Sequence, residues 1–274
     1  MYNLDRFNDI INFDISYQSL ERYPDMKYVI RNDTDEAVGV VGKDFKAASH
    51  PDFFGKIRET WQELLPDLAD DVQITNKVSR NGAWALEQVI FPKAKTIIET
   101  DKHSTEIALR FIYWHGIDGS CRNNCLVGAI DFFCTNGMIR GDYDHLKRKN
   151  TKNFTMDTFI EDIESLEERY QHHVEWCQHL ARKRVNADQV TAMLEALIPS
   201  DRAREKMFDA VGQEAYTRGW NMWSVYSAFT EYASHENRFS LRSTSNDNHE
   251  ERLFRRNTDV AKWTSNPAFL ALAA

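Results

Sequence analysis

The sequence predicts an α+β fold, with a β-rich first half and a helical second half. Three observations predict it. Short apolar runs of strand length, two of them next to Asn-Gly pairs, fill the stretch up to Arg140. Apolar residues then recur at helical spacing from Met156 to Cys177. Strands and helices come in blocks and not in alternation, which points to α+β and away from a parallel βαβ sheet.

Residues 1–26 read as an N-terminal arm. Lys27–Arg31 and Ala37–Val41 flank the polar stretch Asn32–Glu36 and predict a hairpin. Phe53, Phe54, Ile57, Trp61, Leu64 and Leu65 lie on one helical face, and Pro66 stops that helix. Val72, Ile74 and Val78 alternate with polar residues and lead into Asn81-Gly82, the pair favoured where both central turn positions need positive φ. Ala83–Phe91 is the partner strand, Glu106–His115 a third and Leu126–Cys134 a fourth. Asn136-Gly137 then turns into Met138–Arg140.

Thr155 is placed to cap a long helix, and Ala187–Leu197, Asp201–Val211 and Trp220–Ser234 predict three more. The last is apolar nearly all round and is expected to be buried. The resulting division is 1–26 arm, 27–153 sheet-rich core with one helix, 154–235 helical region packed on it, and 236–274 a polar tail for flexibility or oligomerisation.

The 274 residues are 42% apolar and 28% charged, the composition of a folded chain with a sizeable core. The longest apolar runs, such as Ile107–Trp114, are broken by Arg110 and are too short to span a bilayer. No basic-then-apolar leader opens the chain, and the four cysteines do not form a secreted scaffold. The expectation is a cytoplasmic protein with reduced thiols and no membrane contact.

Net charge is -8, unevenly spread. Residues 1–76 carry 8 basic and 15 acidic side chains, residues 77–152 carry 12 and 8, and residues 153–274 carry 14 and 19. Only the middle third is basic, and screening makes that local sign the one a phosphate meets.

No phosphate loop, dinucleotide fingerprint, H-E-x-x-H, nucleophile elbow or EF-hand loop is present. Gly39–Lys43 has half the look of a phosphate loop but the wrong spacing. His115, Cys121, Cys125 and Cys134 have zinc-type donors, as do His172, Glu175 and His179 on one face of the long helix, with His173 and Cys177 on another. Small buried thiols and a solvated histidine face account for both sets equally well, so no metal or other cofactor is assigned. The densest loop is His115-Gly116-Ile117-Asp118-Gly119-Ser120, read either as a phosphate- or cation-binding loop or as a turn that needs positive φ at a glycine.

The basic residues are the more informative signal. Lys77, Arg80, Lys93, Lys95, Arg110, Arg122, Arg140, Lys147, Arg148, Lys149 and Lys152 are interleaved with Trp84, Tyr113 and Trp114. Cations that track a backbone and rings that stack bases are what single-stranded nucleic acid binding requires. A solvated sheet face with a basic linker is the alternative reading.

Trp114–Ser120, followed after a strand by Phe133-Cys134-Thr135-Asn136-Gly137-Met138, resembles the hallmark of the phage- and plasmid-borne domain of unknown function 932. That family carries an N-S-H-D-G-S segment and then V-C-S-N-G-L/M. Trp223–Tyr232 is similar to its late W-x-x-Y-N-A-x-T-E-Y helix, and Ala37–Lys46 fits its N-terminal hairpin. His115, Asp118, Gly119, Ser120, Asn136 and Gly137 match the motif, although Gly116-Ile117 separates His115 from Asp118 and Phe133 replaces a small aliphatic residue. The family implies no reaction. The order of hairpin, meander and long helix is also similar, by topology alone, to single-strand annealing recombinases of the Redβ and RecT type.

The leading expectation is a phage- or plasmid-type protein that binds single-stranded DNA and promotes annealing or recombination without ATP, assembled as a ring or filament. The first rival is a non-catalytic protein that engages host or phage replication, recombination or defence proteins. The second is a divalent-metal nuclease built on Asp118, Asp131 and Asp142 with His115.

Overall fold

Pro92 stands just past the predicted strand Ala83–Phe91, yet the strand runs on through it by way of a bulge. In the computed structural model, which describes residues 10–132, 137–139, 147–148, 166–235 and 249–274, the second strand of the main hairpin runs on to Glu99. Its register slips between Phe91 and Lys95. Proline has no N–H to give to a ladder, so it is tolerated at such a slip.

The main sheet is antiparallel. Its strands are β4 (Gln73–Ser79), β5 (Trp84–Glu99), β6 (Ser104–Gly116), β7 (Asn123–Asp131), β8 (Gly137–Ile139) and β9 (Lys147–Arg148). The order is β4-β5-β6-β7-β8, and β9 also pairs with β7. A smaller antiparallel sheet has the order β1-β2-β3, from Ile15–Leu20, Tyr23–Arg31 and Ala37–Gly42. The expected N-terminal arm therefore contains β1 and the start of β2. Its Ile15-Ser16-Tyr17-Gln18-Ser19-Leu20 run alternates too weakly to stand out from polar neighbours.

Central β6 is covered on both faces, which is why it reads as almost continuously apolar. Ile107, Leu109, Phe111 and Tyr113 enter the large core, whereas Ile112 and Trp114 join Leu86, Leu126 and Ala261 on the other face. Helix α1 (His50–Leu64) starts at Ser49, whose Oγ accepts from Asp52 N at 3.3 Å, with Pro51 in its first turn. Its Phe53, Phe54, Ile57 and Trp61 cover the first face, with Trp61 edge-on to Phe91 at 5.4 Å. Pro66 opens a short helix, α2 (Pro66–Ala69), in addition to ending α1.

The helical half comprises α3 (Leu166–Arg182), α4 (Ala187–Leu197), α5 (Asp201–Arg218) and α6 (Met222–Ser234). Asn186 caps α4 with a full capping box, Gln189 answering at the third position. α6 is buried on nearly every side, as its composition requires. Within the predicted tail, α7 (His249–Thr264) and α8 (Pro267–Ala273) sink Val260, Phe269 and Ala273 into the same core as Ile11. A strongly polar outer face hides α7 in the sequence.

Buried Arg218 ties the two halves together. Its guanidinium donates to Asp131 Oδ2 at 2.5 Å and Ser227 Oγ at 2.6 Å, and pairs with Glu214 at 2.9 Å. Arg218 and Asp131 are both fully buried, so charge neutralisation there depends on geometry.

Candidate functional site

The turn between β4 and β5 is the most constrained stretch of backbone. Ser79 pairs with Trp84, so four residues make the loop, and Arg80, Asn81 and Gly82 have φ of 52°, 53° and 83°. Glycine adopts this region freely and asparagine tolerates it, but for arginine it costs about 1 kcal/mol or more. Three contacts hold the turn. Arg31 Nη1 donates to Asn81 O at 2.9 Å, Asn81 Nδ2 donates to Glu36 Oε2 at 2.6 Å, and His50 Nε2 meets Gly82 O at 2.8 Å. A β-carbon at Gly82 would lie 2.7 Å from Arg31 Nη1, so the site also needs the missing side chain.

His50 and His115 are both fully buried, with their Nδ1 atoms 2.8 Å apart. Because a carbonyl only accepts, His50 carries its proton on Nε2 and presents a bare Nδ1. His115 therefore donates from Nδ1, and its Nε2 lone pair is left buried without a partner. Burial pushes the pKa of His50 down to about 4, with the Arg31 charge adding to the effect. Burial, and then His50, push that of His115 well down. Both rings are neutral at pH 7, and His115 stacks on Phe53 at 4.1 Å.

The Asp118 loop follows β6 directly. Ser120 Oγ donates to Asp118 at 2.7 Å and accepts from Trp84 Nε1 at 2.8 Å and Arg80 Nη1 at 3.0 Å. Both lone pairs and the proton of that hydroxyl are engaged, which makes Ser120 a structural node and not a nucleophile. Asp118 Oδ1 also accepts from Ser120 N at 2.9 Å, an Asx turn, and Gly119 takes a φ of 76°. The loop motif thus serves the turn reading, with Arg80 laid 4.6 Å over the Trp84 ring.

Register gathers part of the predicted basic set at this end of the sheet. Exposed Arg122 immediately precedes β7, and β9 sets Lys147 opposite Asn124 and Arg148 opposite Asn123. With Arg80 on the β4–β5 turn, these positions span about 15 Å across the strands at roughly 4.8 Å per strand. Lys77, on edge strand β4, shares the register row of Leu86, Trp114, Asn124 and Lys147 near the same end. The other predicted cations lie elsewhere: Lys93 in the bulge and Lys95 at its end pair with Asp70 and Glu106, and Arg110 lies midway along β6, donating to Gln88 at 2.9 Å. Arg140, Lys149, Lys152, Asn136, Cys134 and Asp142 lie outside the described residues; Gly137 opens β8.

Two expectations are corrected. Trp84, Tyr113 and Trp114 are 7%, 0% and 1% exposed, so none offers a ring to a base; their apolar bulk fills the core on both faces. Asp118 lies in the loop before β7 and Asp131 at the far end of that strand, whose length is about 27 Å at ~3.4 Å per residue, and Asp131 is taken by Arg218, so they do not form a metal pair. No group of three metal-type donors occurs among the described residues. Cys121 and Cys125 are buried and form no disulfide, burial pushing Cys121 up to about 12, while His172 and His179 lie on the outer side of α3 and His173 and Cys177 in the core.

Sequence reasoning missed His50, Arg31 and Gly39. A single histidine at a helix start carries no spacing signal, and its role appears only once the turn is folded against it. No helix among the described residues is long and apolar enough to cross a membrane.

No curated protein and no solved structure matches the chain. A family model does, over residues 38–260, about four fifths of the length; its description is a domain of unknown function (DUF932). That span runs from β3, whose Gly39 abuts Asp118, through the Asp118 loop and α6 into α7. The chain belongs to the DUF932 family.

Proposed function

We propose that this protein binds single-stranded nucleic acid through its phosphates and promotes strand annealing without hydrolysing a nucleotide. The observation that carries this reading is the cluster formed by Arg80, Arg122 and the Lys147-Arg148 strand at one corner of the sheet. Cations spaced within about 15 Å on an otherwise acidic chain create a local positive field that screening confines to that corner. Arg80 is held by the turn and loop, so its cation is fixed at little ordering cost. Subunits that share one strand, as a ring or filament, would bring such corners into line.

The test is fluorescence anisotropy of a labelled single strand of about 30 nucleotides at three salt concentrations, with duplex as competitor. Binding that falls steeply with salt, and that Arg122→Glu with Lys147→Glu weakens while flattening the salt slope, supports the reading. No binding at low salt overturns it. Annealing of complementary strands, with electron microscopy for rings or filaments, then tests the activity.

A rival reading, a non-catalytic protein that engages a host replication or defence protein, draws on the outer face of the small sheet. Met26, Tyr28 and Val40 are 37%, 36% and 47% exposed there, with Tyr28 opposite Val40. One stoichiometric partner, lost on Tyr28→Lys and accompanied by no nucleic acid affinity, would favour it.

A further inference from the structure

The expected stacking rings are in the core, yet a different ring stands open at the other end of the sheet. A cleft of about 760 Å³ lies between the β5–β6 hairpin, the end of α3 and the turn from α5 into α6. Trp220 lines it and is 38% exposed, with Phe208 6.1 Å from its ring. Tyr216, 87% exposed, lies four residues before it on the last turn of α5.

Around the indole stand Lys102, Arg182 and Arg184, all exposed. Arg184 engages Asp101, whereas Lys102 and Arg182 make no ion pair among the described residues. The second acidic lining residue is Glu99, whose main chain is held by Gln178, N at 3.2 Å and O at 3.1 Å. The wall is pinned by backbone: Val185 N donates to Trp220 O at 3.1 Å, Met222 N donates to Lys183 O at 2.9 Å, and Arg184 bridges Asn221. Gly219, at φ 87°, permits the turn that delivers the indole. The backbone that carries the ring is therefore fixed.

We propose that this cleft is a second contact site for single-stranded nucleic acid, with a base stacked on Trp220 and its phosphates on Lys102 and Arg182. The inference rests on the nucleic acid reading above and deepens it. An aromatic platform beside cations that make no ion pair among the described residues serves a nucleotide's two halves, a π-face and an anion. A duplex keeps its base faces inside the stack, so this site takes a single strand. The cleft and the basic corner lie about 40 Å apart along β6, at roughly 3.4 Å per residue, so one strand reaches both only when it is long. Two weak sites on one strand then act together through effective concentration.

The experiment compares wild type, Trp220→Ala, Trp220→Phe and Lys102→Glu with Arg182→Glu on the labelled strand of about 30 nucleotides and on one of about 5. Photocrosslinking of a 5-iodouracil strand maps the contact. The expected results are a roughly tenfold or greater weakening for Trp220→Ala on the long strand, since stacking contributes about 1–3 kcal/mol per base. Its salt slope stays unchanged, Trp220→Phe retains most of the affinity, and the double charge reversal flattens the slope. Crosslinks at Tyr216 or Trp220 support the site. Wild-type binding with full affinity in Trp220→Ala and crosslinks confined to residues 80–148 overturns the cleft and leaves the parent reading standing. Absence of wild-type binding overturns the parent reading, and the cleft with it.

Discussion

Gly39 faces Asp118 so closely that a β-carbon at position 39 would lie 2.8 Å from Asp118 Cβ. The stretch that looks like half a phosphate loop owes its first glycine to this approach of β3 to the β6–β7 loop. Gly39→Ala is expected to destabilise the protein by about 1–3 kcal/mol, the range for overpacking a tight contact. A urea midpoint measured against wild type checks this. Because Asp118 sits beside Arg80, the same variant should also weaken strand binding.

The histidine pair sets an acid limit. Unfolded histidine titrates near 6.5, and His50 in the fold only near 4. The unfolded chain therefore binds more protons between those values, and stability falls as pH drops through that window and is full above it. The shift of His50 corresponds to about 3 kcal/mol at 1.36 kcal/mol per pH unit. Buried Glu87, whose carboxyl burial pushes up despite Arg58, contributes the opposite slope. Comparing wild type with His50→Gln from pH 7.5 to 4 isolates the histidine part; an unchanged slope would refute it.

Removing one member of the Arg218 cluster should cost about 3–5 kcal/mol, because the remaining charge stays buried. Asp131→Asn leaves a guanidinium with Glu214 and Ser227 and should be milder than Arg218→Met, which strands two carboxylates. Denaturant melts of both singles and the double variant give the coupling, expected to exceed 1 kcal/mol.

Burial separates stability from binding at the predicted stacking residues. Trp114→Phe should lower stability by about 1–3 kcal/mol through a partly filled cavity. Its affinity for a single strand should equal that of wild type once both are folded. A tenfold loss of affinity without loss of stability would return Trp114 to the interface.

Periodicity made much of this fold legible, for reasons that also mark where it stopped. Val72–Val78 and the helical faces of α1 and α4 each carry a pattern that a single covered face imposes, and α4 begins and ends where the sequence places it. β6 is covered twice, so its apolar run showed a strand but not which rings lay in the core. Tyr113 and Trp114 therefore looked available beside Arg110. β1 and α7 escaped because polar residues make up at least half of each. The candidate site was legible in its loop, whose glycines and Asp118-Ser120 carry local turn chemistry. It was illegible in its partners: His50, Arg31 and Gly39 come from other elements, and nothing local announces them. Trp220 is a similar case, since its exposure depends on where β5–β6 and α3 end.

Ile11 and Ala273 share one core, and His179 on α3 holds Ala273 O at 2.7 Å. During synthesis, therefore, the sheet emerges first, but the helical part of the core cannot close until α8 has left the ribosome. A nascent chain stalled before Phe269 would expose part of the α6 face that Phe229 shares with it. Such chains are the ones a holding chaperone would meet.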